Sequence, residues 1–416
     1  MLIKKQRPRV VVLGAGFGGL YTFFNIRKFL SDQEVEITIV NKTNYFLFTP
    51  LLHEVATGGL AHHQVVEAIR TITKKKGAIL HIAEVLKINT KQKIVDTTIG
   101  SIEYDFLVIA TGATTEFFGT PGASEKTLVL KSLQDAIRIR NQFVDSFETA
   151  LEAKDPVVRK KLLTFVLVGG GATGVELAGE MAEFFYDTFL SFFPGRIAKE
   201  DVVIHLVAGE QELLANFHKG MQGEARRVLI NAGVRVRTGV RVTSVDDDGV
   251  TLSDNSRIES TNVMWLGGVR PNVPASDIPL GSSGARGRIV VDKNLRVQNF
   301  EKMYALGDVA TFADKFLPMH AQAAVQEASI VAKNIVSEIR GKNPTAVFQY
   351  QPVGDLVSVG QWHAIGYLFN FLWTGPLAWF IWRTVYLSKF ASWPKRIKIA
   401  VDWTVDIFYP RDITRI

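Results

Sequence analysis

Gly14-Ala15-Gly16-Phe17-Gly18-Gly19 and Gly169-Gly170-Gly171-Ala172-Thr173-Gly174 are the two stretches whose residue types and spacing could do chemistry. Each follows an apolar, mostly β-branched run, Val10-Val11-Val12-Leu13 in the first case and Phe165-Val166-Leu167-Val168 in the second. Each then opens a helical pattern. In that strand–turn–helix context the first glycine makes a tight turn and the second admits a pyrophosphate to the backbone. The third lets helix and strand approach closely. The start of the helix faces the phosphates with free N–H groups and the positive end of its dipole. Two such turns in one chain point to two dinucleotides, and two dinucleotides point to electrons passing between them.

Three further groups could serve that chemistry. Gly307-Asp308 follows the apolar Met303-Tyr304-Ala305-Leu306, and a carboxylate there can accept a hydrogen bond from the sugar-alcohol chain of a flavin. The competing reading is a helix N-cap. The Ala110-Thr111-Gly112 turn and the paired glycine turns favour the flavin. Glu176, two residues past Gly174, reads either as a charge that suits a helix start or as a group beside a nicotinamide ring. Gln322 and Gln326 are four apart in a helical run, so they share a face. That face is either solvated or turned to a flavin and a second substrate. His53, His62, His63, Glu54 and Glu67 lack metal-ligand spacing, and no metal site is expected.

Composition narrows the classes. At 416 residues the chain has room for two or three domains. A hydrophobic share of 47% against 21% charged residues describes a folded chain rather than a disordered one. The net charge of +7 suits nucleic acid, an anionic membrane surface or anionic cofactors. No zinc-finger or RNP-like motif accompanies it, so nucleic acid is set aside. There is no cysteine, which removes disulfides, thiolate metal sites and any dithiol relay. Met1 to Arg9 is short and basic with no apolar core, so neither a signal nor a transit peptide is expected.

The elements that must position these residues are two βαβ units. The first runs from Val10–Leu13 through a helix to Val35–Val40, ending at Asn41 and Lys42 where an acid often binds a ribose. The amide of Asn41 can still bond a hydroxyl. The second runs from Leu162 to Val202–Val207, where Ala208 stands in the acid's place and Glu210 follows. No Lys or Arg lies between Val207 and Asn216, so NADH is preferred over NADPH. The tail differs. Trp362 to Trp382 holds no Asp, Glu, Lys or Arg but is cut by Gly375-Pro376, and Arg383, Lys389, Lys395, Arg396 and Lys398 follow. Trp with Lys and Arg suits a membrane interface, so an in-plane amphipathic anchor is expected. A buried or dimerising helix pair and a true span are the alternatives.

With Gly14–Gly19, Tyr45–Leu52 followed by His53-Glu54-Val55-Ala56-Thr57-Gly58, Gly169–Glu176, Trp265–Asn272, Ala305–Val309 and Ala321–Glu327, the chain resembles the type II NADH:quinone oxidoreductases. The resemblance implies two Rossmann-like α/β domains of the glutathione-reductase kind, the second inserted in the first. The expected layout is an FAD-binding domain over 1–125 and 291–350, an NADH-binding domain over 126–290, and a membrane-anchoring region over 351–416. It also implies non-covalent FAD held by Gly14, Gly16, Phe17, Gly18, Gly19, Asn41, Lys42, Thr49, Pro50, Val85, Ala110, Thr111, Gly112, Gly307, Asp308 and Gln322. NADH would meet Gly169, Gly171, Gly174, Val175, Glu176, Glu210 and Gly268. Glu176, Gln322 and Gln326 would be the catalytic residues, the glutamines at the quinone end. The implied activity is hydride transfer from NADH to FAD, then two electrons to a membrane quinone without proton pumping. The expected setting is the cytoplasmic face of the inner membrane, as a peripheral homodimer that binds no nucleic acid. A reductase of the same fold serving a soluble acceptor is the alternative. A non-enzymatic flavoprotein sensor belongs to a different class, and it would turn over little NADH with a soluble quinone.

Overall fold

The computed structural model describes residues 7–278, 280, 287–313, 319–390, 392–405 and 408–416. Most of the short basic start, residues 1–6, lies outside them. The chain forms two compact units, each assembled from three segments. The first is Met1–Leu47, Glu67–Thr114 and Val269–Gln351; the second is Phe48–Val66, Thr115–Gly268 and Pro352–Ile416. These boundaries differ from a division at 125 and 290. They also place residues 48–66 and the whole tail with the second nucleotide turn.

The core of the first unit is a five-stranded parallel sheet, ordered Met303–Ala305, Phe106–Ile109, Arg9–Leu13, Glu36–Asn41, Ala78–Ile82. Val10, Val11, Val12 and Leu13 are buried on both faces, as near-continuous apolar strands of a parallel sheet must be. The second unit repeats the plan with Leu128–Val129, Asn262–Trp265, Thr164–Val168, Val203–Val207 and Arg235–Arg237. Each unit adds an antiparallel three-stranded meander, Val85 to Glu103 in the first and Val242 to Glu259 in the second. In both sheets the glycine turn leaves the central strand at its carboxyl end, where ligands of parallel α/β sheets bind.

The tail corrects the sequence reading. Trp362 to Trp382 is not one interrupted helix. It contains the strands Ala364–Leu368 and Phe371–Thr374, which pair antiparallel, and only then the helix Gly375–Ser388. Pro376 does not break a helix but starts one, in the first turn where its missing N–H costs nothing. Trp379 and Trp382 are buried, not laid at a headgroup level. Arg383 is not a free lipid-facing cation either. Its guanidinium lies 3.6 Å from the Trp379 ring centroid and 4.8 Å from that of Trp403. Arg396 donates to the Ser388 and Phe390 carbonyls. The exposed apolar side chains of the tail include the Phe369–Phe371 hairpin tip, Leu377, Phe380, Phe408 and Tyr409, and also Trp393, Ile397, Val401 and Val405. Those last four recur every four residues along the helix Trp393–Val405 and form one stripe. No helix among the described residues is long and apolar enough to cross a membrane.

Candidate active site

In the first unit the glycine turn is closed toward the sheet and open away from it. Gly14 has φ +94°, and a Cβ there would stand 2.4 Å from the Ala110 carbonyl oxygen. A Cβ on Gly19 would stand 1.9 Å from the Gly14 oxygen, and one on Gly18 would meet Leu306 at 3.3 Å. Gly16 and Gly112 have nothing within 4 Å. The helix Phe17–Ile26 starts at Gly16 with no side-chain cap and no acid in its first turn. The helix Leu133–Glu152, by contrast, is capped reciprocally by Ser132 and Asp135. An uncapped helix start beside an open glycine is what a phosphate needs. Thr111 is held from behind, its Oγ1 donating to the Asn272 carbonyl at 2.6 Å. The residues present therefore fit a dinucleotide.

The second turn repeats the first. A Cβ on Gly169 would meet the Leu266–Gly267 backbone at 2.7 Å, and one on Gly174 the Gly169 oxygen at 1.9 Å. Gly171 has open space, and the helix Ala172–Glu183 starts there without a side-chain cap. Glu176 lies beyond the first helical turn, so it does not stabilise the helix start. Its side chain is buried. Oε1 accepts from the Ser358 N–H at 3.4 Å, and Oε2 stands 3.7 Å from His53 Nδ1. Burial holds the Glu176 carboxyl well above the usual range against the pull of the Ser358 N–H, and Glu180 and Glu54 push the same way. Burial also pulls His53 down to about 4, overcoming Glu180. Burial thus favours the protonated form of Glu176 beside an imidazole that is neutral at pH 7.

A set of acids that the sequence reading did not assemble surrounds this pair. Burial and Glu180 raise Glu54 to about 8, although it accepts from Trp403 Nε1 at 2.7 Å. Burial raises Glu183 to about 7 against the pull of Arg411. Arg411, near the end of the chain, reaches Glu180 at 2.7 Å, Glu183 at 2.8 Å and Thr57 Oγ1 at 3.2 Å. Gly59 makes room for it: a Cβ there would meet the Arg411 guanidinium carbon at 3.3 Å. One sequence signal was available. Glu176, Glu180 and Glu183 recur at i, i+4 and i+7, a row of like charge that must find its cation elsewhere.

Residues 8–328 match the pyridine nucleotide-disulphide oxidoreductase family, and residues 353–412 match the NDH2 C-terminal domain. The chain is 33% identical to the type II NADH:quinone oxidoreductase Ndh of Mycobacterium tuberculosis, across 98% of this chain and 89% of that protein. The chain belongs to the type II NADH:quinone oxidoreductase family. It is also 30% identical to the external alternative NADH-ubiquinone oxidoreductase of Yarrowia lipolytica mitochondria, across 99% of this chain and 81% of that one. The fold is that of NDH2 from Plasmodium falciparum solved in complex with NADH. The TM-score is 0.89 at 21% identity, covering 98% of this chain and all of that one.

Within this family member several expected contacts have other work. Asn41 Oδ1 accepts from the Ala15 N–H at 2.9 Å, and its Nδ2 donates to Thr43. The amide thus fastens the glycine turn. Lys42 is exposed and paired with Glu84 at 2.6 Å. Thr49 and Pro50 form a 3-10 turn that belongs to the second unit, and Val85 starts the first unit's meander. Phe17 packs edge-on against Phe46. Val175 is buried and its N–H donates to the Gly171 carbonyl. Gly268 lies under Phe118, whose ring would stand 2.6 Å from a Cβ there. Gln322 Oε1 accepts from Tyr350 at 2.6 Å. Gln326 exchanges two hydrogen bonds with the Gln351 backbone at 2.8 and 3.1 Å. Both glutamines are thereby fixed along the segment that follows their helix.

Proposed function

We propose that the chain is a non-proton-pumping NADH:quinone oxidoreductase, with FAD against the first glycine turn and NADH against the second. The observation that carries the reading is the matched pair of uncapped helix starts at Gly16 and Gly171, each on its own five-stranded parallel sheet. Bound FAD would supply the two-electron carrier between nicotinamide and quinone. Gly14, Gly16 and Gly19 with the Phe17 helix start would hold its pyrophosphate, and Thr111, Gly112 and Asp308 its flavin half. Gly169, Gly171 and Gly174 would do the same for NADH. Quinone reduction by NADH takes up one proton beyond the hydride, and Glu176, whose protonated form burial favours, would be a group to supply it. Gln322 and Gln326 would stand at the quinone end.

The exposed stripe Trp393, Ile397, Val401 and Val405 supports attachment to a membrane surface, where the quinone is. The reading includes the cytoplasmic leaflet and a homodimer, both from the family resemblance. The test is anaerobic. The purified protein should release FAD on denaturation, its flavin absorbance should bleach with NADH, and a soluble quinone should restore it. A protein that neither retains nor rebinds FAD would sink the reading. Reoxidation by a ferredoxin-like protein but not by quinone would favour the soluble-acceptor alternative.

A further inference from the structure

One buried carboxylate of the first unit has no part in the scheme above. Glu327 lies on the helix Ala321–Ile339 and is 1% exposed. Its Oε2 accepts the Gly307 N–H at 2.5 Å, across twenty residues of chain. Gly307 opens the turn Gly307–Val309 with φ +72°, a conformation few side chains tolerate. The residue before it is tied to the sheet, since the Leu306 N–H donates to the Ile109 carbonyl at 3.1 Å. The helix bears on the turn as well: Ala324 Cβ lies 3.5 Å from where a Cβ on Gly307 would stand. One face of the turn is therefore anchored by backbone, and on the other the Gly307 N–H is held by the Glu327 side chain. Asp308 is the next residue.

We propose that Glu327 is a positioning residue for FAD: by gripping the Gly307 N–H it sets the direction of Asp308 toward the cofactor's sugar-alcohol chain. This rests on the reading that FAD occupies the first unit. A half-buried N–H left without its acceptor still costs free energy, so losing Glu327 would let the turn rotate to find one, and Asp308 would move with it. Charge adds a second effect. Burial raises the Glu327 carboxyl to about 7; the Gly307 N–H and Arg288 pull it down, and Asp308 pushes it up. Asp308 on the turn and Arg288 just ahead of the strand Ile289–Val291 are the charged groups that bear on it. FAD carries two phosphate charges, so its binding raises Glu327 further. By linkage, proton and cofactor then favour one another. FAD is held most tightly below about pH 7 and loosens as pH rises through 7 toward the higher value in the complex.

The test follows FAD release from the holoenzyme, read as free-flavin fluorescence after dilution, from about pH 6 to about pH 8.5. Glu327→Ala should release FAD about tenfold faster than wild type at the acid end. Glu327→Gln keeps an acceptor for Gly307 and cannot ionise. It should match wild type at the acid end to within about threefold and stay flat with pH, while wild type speeds up. Equal release from wild type and Glu327→Ala would overturn the proposal. So would a wild-type pH profile in Glu327→Gln, a readout that survives if the alanine variant does not fold. Asp308→Ala separates the two layers. If it releases FAD no faster than wild type, the placement of FAD against this turn fails. If it releases FAD faster while Glu327→Ala does not, only the role of Glu327 fails.

Discussion

A Cβ on Gly19 and one on Gly174 would each stand 1.9 Å from the oxygen of the glycine that opens its turn, and Gly16 and Gly171 are each open to solvent. The two turns are alike to that degree, and they part company in what lies behind them. The first is closed by a neutral amide, Asn41, and its helix buries Leu20, Phe23 and Ile26. The second has Ala208 in the matching place, 2.7 Å from where a Cβ on Gly170 would be, and its helix buries Glu176 and Glu180. Packing and an amide position the first helix. The second depends on a cation delivered by the last residues of the chain. The same phosphate-binding device thus tolerates two unlike supports, because it needs only the backbone at the turn.

The largest expected effect comes from removing that cation. Arg411→Met keeps much of the side-chain volume and strands Glu180 and Glu183. The cost should be about 3–5 kcal/mol, the range for breaking a buried ion pair. The deficit should shrink on acidification. Glu183 sits at about 7 even with Arg411 present, and without it the carboxyl protonates more readily as pH falls. Denaturant melts on both sides of neutrality would show this. A loss under about 1 kcal/mol at both pH values would mean the acids are already neutralised another way.

The next effect tests the likeness. Gly16→Ala and Gly171→Ala add a methyl where no atom lies within 4 Å, so both variants should fold. Each should lose its own ligand. Gly16→Ala should lower FAD content with little change in NADH affinity. Gly171→Ala should weaken NADH by about tenfold or more, a cost of roughly 1.4 kcal/mol, and keep its FAD. Loss of FAD from Gly171→Ala would show that the two turns had been assigned the wrong way round.

How much of this was legible follows the range of the forces. Both nucleotide turns could be read because glycine spacing reports sterics within a few residues. Asn41 could be named but not given its work, because its partner Ala15 follows the neighbouring strand, 26 residues away in the chain. The acid row Glu176, Glu180, Glu183 was in plain view, and the missing piece was Arg411, 228 residues from Glu183. Pro376 misled for a related reason. Proline excludes a helix interior but not a helix start, and only the preceding hairpin decides between them. The tail was read as a separate anchor. Its last residues in fact reach Arg140, Asp145, Glu180 and Glu183.

The smallest expected effect lies at the second turn's outer edge, where the choice between NADH and NADPH is made. The sequence near Glu210 offered no cation, and the fold supplies one. The Arg241 side chain lies across Gly209, its Cγ 2.9 Å and its Nε 3.3 Å from where a Cβ there would stand. Glu210 disfavours a 2′-phosphate and Arg241 attracts it, so the two partly cancel. Both are exposed, and exposed charges act weakly through screening solvent. Glu210→Ala should therefore lower the NADH/NADPH ratio of kcat/KM by about two- to fivefold, and Arg241→Ala should raise it by a similar factor. Raising the ionic strength should pull both ratios back toward wild type. If Arg241→Ala leaves the ratio unchanged while Glu210→Ala shifts it, the arginine only packs on Gly209. The second turn then discriminates by repulsion alone, as the first, with Asn41 in the acid's place, cannot.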